Sequence, residues 1–206
     1  MKQLLMALLF PVALSAQKKD VVKLTHTNYT TYFSKSKKYP VRVEWWVTKA
    51  RISCVKGTPR TDKFIPDPLL QDDTNLQKDY TASGFDRGHL APAADFKCGT
   101  AQDMAETFYF SNMAPQYPGM NRGQWKSLEE HTRVLAQQHD SVFVQAGCVG
   151  VRQHIARVAV PTHCWKIVDV RATKQVTSYV FENVALKTQS FTSHVVSKDS
   201  VMKLRK

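Results

Sequence analysis

Residues 85–96, F-D-R-G-H-L-A-P-A-A-D-F, restrict what this chain can become more than any other stretch. Asp86, Arg87, Gly88 and His89 set an acid, a permanent cation, a backbone hinge and an imidazole in successive positions. A guanidinium stays charged, and its planar fork matches phosphate. Glycine accepts backbone turns that other residues resist. Imidazole exchanges a proton near neutral pH. A cation suited to phosphate, beside a base able to deprotonate water, is what phosphodiester hydrolysis requires. The same four residues also suit a turn with a surface salt bridge and a structural histidine. Locally the segment reads as a strand end and a turn, with Pro92 stopping regular structure.

D-R-G-H followed by L-A-P-A-A-D resembles the signature of the DNA/RNA non-specific endonucleases. These are the His-Me finger or ββα-metal nucleases, which include mitochondrial endonuclease G. Residues 110–116, F-S-N-M-A-P-Q, are similar to that family's second block. Residues 121–125, N-R-G-Q-W, with Leu128 and Glu129, are similar to its metal-binding helix. The likeness covers roughly residues 41–183.

The resemblance implies an α+β protein of the ββα-metal (His-Me finger) fold, with a central, mostly antiparallel sheet and flanking helices. It implies a Mg²⁺-dependent endonuclease, with Mn²⁺ able to substitute. Such an enzyme cleaves DNA and RNA without sequence specificity and leaves 5′-phosphate ends. His89 would be the general base, oriented by a group near Asn112. Asn121 would be the one protein ligand of the metal, and Glu129 would hold a metal-bound water. Arg87 would neutralise charge on the phosphate, Arg60 would face it, and Gln116 is placed to touch substrate. Asp86 is expected to fix Arg87 or the turn.

Each residue has a plainer reading. Asn121 suits a helix N-cap, Asn112 a turn before Pro115, Arg60 a solvated charge, and Glu129 an exposed face with Lys126, Glu130 and Arg133. If Asn121 and Glu129 share one regular helix, they lie about 12 Å apart along its axis and about 80° apart around it. They would then not easily share one first coordination shell. Two other functions also use these residues: a basic nucleic-acid-binding protein on an inactive copy of the fold, and a different metal-dependent phosphoesterase. No recognition-helix pattern or run of stacking aromatics is visible, which favours contact with the DNA and RNA backbone.

Composition bears on partner and compartment. A chain of 206 residues suits one domain, and a formal net charge of +12 at pH 7 suits a polyanion. Residues 1–16 read as a secretory signal: Lys2, an apolar run, then Ala13-Leu14-Ser15-Ala16. That run is too short to span a bilayer, so the expectation is a secreted or periplasmic protein with no membrane contact. Export permits disulfides. Cys54, Cys98, Cys148 and Cys164 allow three pairings, which sequence leaves open beside buried free thiols.

Residues 17–40 read as a polar, extended lead-in and residues 41–206 as the endonuclease domain. Val41, Val43, Trp45 and Val47 alternate on one face of a strand, with residues 51–54 continuing it after a bend. Residues 58–73 read as a loop. Thr100-x-x-Asp103 opens a short helix that stacks Met104 and Phe108. Pro115, Pro118 and Gly119 indicate a loop over residues 112–119. A helix over about residues 121–138 carries Trp125, Leu128, Thr132 and Leu135 as its buried stripe. Further strands are expected over residues 141–149, 157–160, 164–171 and 176–181, with His163 and Trp165 as packing residues. Residues 197–204 look short beside the family's final helix.

Overall fold

The computed structural model describes residues 20–185 and 190–205. The segment read as a secretory signal, residues 1–16, lies outside the described residues. In chain order the strands are β1 (Val21–Thr25), β2 (Tyr29–Ser34), β3 (Tyr39–Thr48), β4 (Asp86–His89), β5 (Met113–Gln116), β6 (Ser141–Val149), β7 (Gln153–Ile155), β8 (Val158–Val160), β9 (His163–Val170), β10 (Gln175–Glu182) and β11 (Val195–Val196). The helices are α1 (Lys49–Ile52), α2 (Gln77–Tyr80), α3 (Ala101–Glu106), α4 (Pro118–Met120), α5 (Lys126–His139) and α6 (Lys198–Leu204).

Alternation builds the main sheet. Val43, Trp45 and Val47 of β3 are buried while their neighbours are half-exposed, as period-two patterning requires. Seven strands pair in the order β1-β2-β3-β6-β9-β10-β11, all antiparallel. One face is covered by α5. Its Trp125-to-Ala136 stripe packs with Val43, Trp45, Val144 and Val168. The other face carries Trp165 and Ile167, which close over Val201 of α6. The result is an α+β architecture with a central antiparallel sheet and helices on both sides.

Several stretches differ from the sequence reading. Residues 20–34 are not a separate lead-in; they form β1 and β2 and extend the sheet. Leu24, Tyr29 and Phe33 are buried. The turn between the two strands is held on α3, where Thr27 donates from N and from Oγ1 to the Glu106 carboxylate, each at 2.9 Å. Threonine and tyrosine are strand formers despite their polarity. Residues 49–52 do not continue β3 but make the single helical turn α1, which buries Ile52. Residues 113–116 are not loop: they form β5, with Pro115 opposite Arg87 of β4. A two-stranded ribbon consists only of edges, where a missing N–H is tolerated.

Both disulfides form, Cys54–Cys98 and Cys148–Cys164. Cys148 and Cys164 face each other across β6 and β9. The bridges close sequence separations of 44 and 16 residues, and on chain-entropy grounds each is worth roughly 3–4 kcal/mol.

Candidate active site

The site grows from β4, β5 and the helical stretch that follows. β4 and β5 pair with Asp86 opposite Gln116 and His89 opposite Met113. Gly88 permits that approach, because a Cβ there would lie 2.0 Å from Gln116 Oε1. After α4 the chain makes a widened π-type turn over Asn121–Trp125, in which Gly123 (φ −97°, ψ −110°) leaves helical values. Such insertions shift the phase of a helix and recur at functional sites. Trp125 Nε1 donates to the His89 carbonyl at 3.1 Å and so ties the end of β4 to the start of α5.

This junction opens a cleft of about 430 Å³. Arg60, His89, Asn121, Arg122, Lys126, Glu129 and Arg133 line it together with Pro92, Ala93 and Ala94. His89, Asn121, Glu129 and Arg60, all singled out from sequence, therefore share one cavity. Asn121 and Glu129 do so because the widened turn replaces the first turn of the expected regular helix.

The other four residues sit elsewhere. Asp86 stands behind Asn121, accepting from Asn121 Nδ2 at 2.9 Å and from Arg122 Nε and Nη2 at 2.8 and 2.6 Å. It does not hold Arg87, since neighbouring strand residues project to opposite sides. Arg87 lies outside the cleft lining, with its guanidinium 4.2 Å from the Phe64 ring centroid and Nη1 donating to Gln77 at 2.7 Å. Asn112 does not reach the His89 ring. Its side chain brackets the main chain beyond it, accepting from Ala91 N at 2.9 Å and donating to Ala91 O at 2.8 Å and Thr107 O at 2.9 Å. Gln116, expected to touch substrate, is fully buried under Gly88 with Nε2 3.5 Å from Cys164 Sγ.

The His89 ring is held by aromatic packing, edge-on to Phe108 at 5.1 Å and tilted to Phe64 at 5.7 Å. Nε2 is buried without a hydrogen-bond partner. Burial, then the Arg60 and Arg87 charges, push the imidazole down to about 3, so the ring is a neutral acceptor. Glu129 behaves oppositely: burial pushes its carboxyl up to about 7 against the pull of Lys166. Its side chain is 13% exposed, with Oε1 3.6 Å from Lys166 Nζ. It is not on an open surface.

Among the described residues, no group of three or more His, Cys, Asp or Glu side chains is arranged to hold a metal. What the cleft does offer is a single oriented amide. Asn121 Nδ2 is engaged by Asp86, which leaves Oδ1 as the acceptor. That fits a hydrated Mg²⁺, which binds through few protein groups and keeps most of its waters.

Sequence reasoning missed Arg122, Lys126, Arg133 and Lys166. Lys126, Glu129 and Arg133 fall at i, i+3 and i+7, so one helix face already carried them. Lys166 had a fainter signal, a lone cation in the apolar strand C-W-K-I-V.

A family model described as DNA/RNA non-specific endonuclease matches residues 7–205. The chain is 34% identical over 155 residues to a nuclease of Nostoc sp., covering 73% of this chain and 55% of that one. It is 32% identical over 187 residues to the mouse mitochondrial nuclease EXOG, covering 80% and 50%. It is 37% identical over 122 residues to bovine mitochondrial endonuclease G, covering 51% and 40%. The chain spans about half the length of the curated relatives it matches. A solved structure of an EndoG/EndoGI complex superposes with a TM-score of 0.80 at 27% identity, covering 89% of this chain and 83% of that one.

Proposed function

The chain belongs to the DNA/RNA non-specific endonuclease family, and on that footing we propose that it hydrolyses DNA and RNA phosphodiesters without sequence choice, using one Mg²⁺ or Mn²⁺ ion. The observation that carries this reading is the shared cleft: a neutral imidazole, an oriented amide oxygen and four cations face one cavity. Asn121 would hold the ion, with Asp86 fixing the amide. When bound, the ion supplies positive charge to the leaving oxygen.

The chain's own residues supply the rest. Arg60, with the charge of Arg87 nearby outside the lining, draws the phosphodiester in and neutralises the charge that builds on its equatorial oxygens; preorganised cations of this kind are often the largest catalytic contribution. The same two arginines depress His89. An anionic phosphate between them offsets their charge and raises the ring's basicity when substrate is present. His89 then takes a proton from water, the water oxygen bonds to phosphorus, and the bond to the 3′-oxygen breaks. The 3′-oxygen takes a proton from solvent in the cleft, leaving 5′-phosphate and 3′-hydroxyl ends. Glu129 holds water at the cleft wall.

The test is incubation of the protein with plasmid and with RNA, in Mg²⁺ and in EDTA, followed by end-group analysis. His89→Ala is expected to lose the roughly 10²–10⁴-fold contribution of a general base while still binding DNA. Asn121→Ala is expected to require far more Mg²⁺ or to be inactive. Unchanged cleavage by His89→Ala, or an unchanged Mg²⁺ titration of Asn121→Ala, refutes the assignment.

We further propose export. The apolar run in residues 4–14 and two disulfides support it, and no described helix is long and apolar enough to cross a membrane.

A further inference from the structure

Behind α5 lies a buried cation that the chemistry above leaves unused. Alternation along β9 puts Lys166 on the face it shares with Cys164, Val168 and Val170, under α5. It is 1% exposed, with Nζ 4.1 Å from the Trp125 ring centroid and 5.9 Å from that of Trp45. A cation there is costly unless it is well paired, and an apolar side chain of similar volume would fill the space without that cost. Its carboxylate partner is Glu129, at 3.6 Å. A second couple sits beside it. Arg133 Nη1 is 3.0 Å from Asp95 Oδ1, and Trp45 Nε1 donates to Asp95 Oδ2 at 2.9 Å.

The charged groups facing Glu129 are thus Lys166 from β9, Arg133 one turn on in α5, and Asp95 from the 3₁₀ turn Ala93–Phe96. Arg133 is bonded to Asp95, which leaves Lys166 to balance Glu129. Of these two carboxylates, Glu129 is the one that lines the cleft.

We infer that Lys166 is a positioning residue: from the core side of α5 it keeps the Glu129 carboxylate charged and fixed at the cleft wall. This rests on the role given to Glu129 above. Without the ammonium, Glu129 keeps only Arg133, which is already bonded to Asp95, and it takes up a proton more readily.

The test compares wild type, Lys166→Met, Lys166→Arg, Glu129→Gln and the double variant Lys166→Met/Glu129→Gln on plasmid with Mg²⁺. Carbon NMR of the metal-free protein gives the protonation midpoint of Glu129 alongside. Lys166→Met is expected to lower kcat about 10–100-fold, as loss of a supporting partner does, with KM for DNA unchanged. Lys166→Arg restores kcat. The Glu129 midpoint moves up in Lys166→Met. In the Glu129→Gln background, Lys166→Met costs nothing further. Should Lys166→Met fail to fold, Lys166→Gln is read in the same way. The inference is overturned if kcat or the Glu129 midpoint is unmoved, or if the loss is equally large in the Glu129→Gln background. A wild type that does not cleave, or a fully active Glu129→Gln, sinks the reading of the site instead. The NMR midpoint then decides on Lys166 independently of activity.

Discussion

Two ionisable groups on one cleft are pushed in opposite directions, and burial does most of it in both. It penalises the charged form, so the imidazole of His89 goes down to about 3 and the carboxyl of Glu129 goes up to about 7. Near neutral pH the His89 ring is neutral, so its own titration does not limit the free enzyme in the physiological range. On the role proposed for Glu129, in which its ionised carboxylate accepts hydrogen bonds from water, its titration sets the limit instead. The kcat/KM profile, which reports the free enzyme, is expected to fall as pH drops through about 7 or somewhat lower. The residual activity of Glu129→Gln should lack that acid limb; a limb that survives the substitution assigns it to another group. The stability effects have opposite signs. His89, depressed below its unfolded value, withdraws stability as pH falls below the ordinary imidazole range. Glu129, raised above its unfolded value, contributes stability that is full below the ordinary carboxylate range and is lost as pH rises toward 7.

The ββα unit of β4, β5 and the helical stretch after them depends on one close approach. Gln116 is fully buried and cannot swing away from Gly88. Gly88→Ala is therefore expected to destabilise by about 1–3 kcal/mol, a fall in Tm of roughly 3–10 °C for a domain of this size. Thermal unfolding checks this, and Gly88→Ala/Gln116→Ser should recover most of the loss. No recovery would mean that the ribbon is limited by something other than this contact. Much of the unit was legible in the sequence. The D-R-G-H motif, the capping box at Thr100 and the Trp125–Leu128–Thr132 stripe all follow local rules, and α3 carries that box with Thr100 and Asp103 bonded reciprocally. The pairing of β5 was not legible, since Pro115 argues locally for a loop and only the opposing β4 makes it a strand. Nor was the widened turn at Asn121, because Gly123 leaves helical geometry in answer to Asp86 and Trp125, which hold the chain on either side of it.

For the molecule as a whole, charge and compartment carry the remaining expectations. With a formal net charge of +12 and four cations on the cleft, binding to a duplex should release counterions. A log–log plot of kcat/KM against salt is expected to be linear, with a slope of about −0.9 for each phosphate neutralised. Arg60→Ala should reduce its magnitude by about 1; an unchanged slope would place Arg60 outside the path of the nucleic acid. N-terminal sequencing of exported protein should start within a residue or two of position 17, and retention of Met1 would refute the secretory reading. The N-terminal hairpin adds to stability rather than acting as a tether, for β1 and β2 lie in the sheet and their turn is bonded to α3.

Sequence alone determined the elements whose cause is local: strands that alternate, a helix with its cap and stripe, and a motif that sets an imidazole beside a guanidinium. It also determined that four cysteines and a basic balance were present. Tertiary structure decided which cysteines paired and which acid holds the Asn121 amide. It also decided which charge lies behind Glu129. These depend on contacts between residues 16 to 44 positions apart in the chain: Cys148 with Cys164, Asp86 with Asn121, Lys166 with Glu129 and Cys54 with Cys98. Periodicity reaches only a few residues along a chain, whereas a packed interior places distant side chains within ångströms of one another and settles their charges by burial.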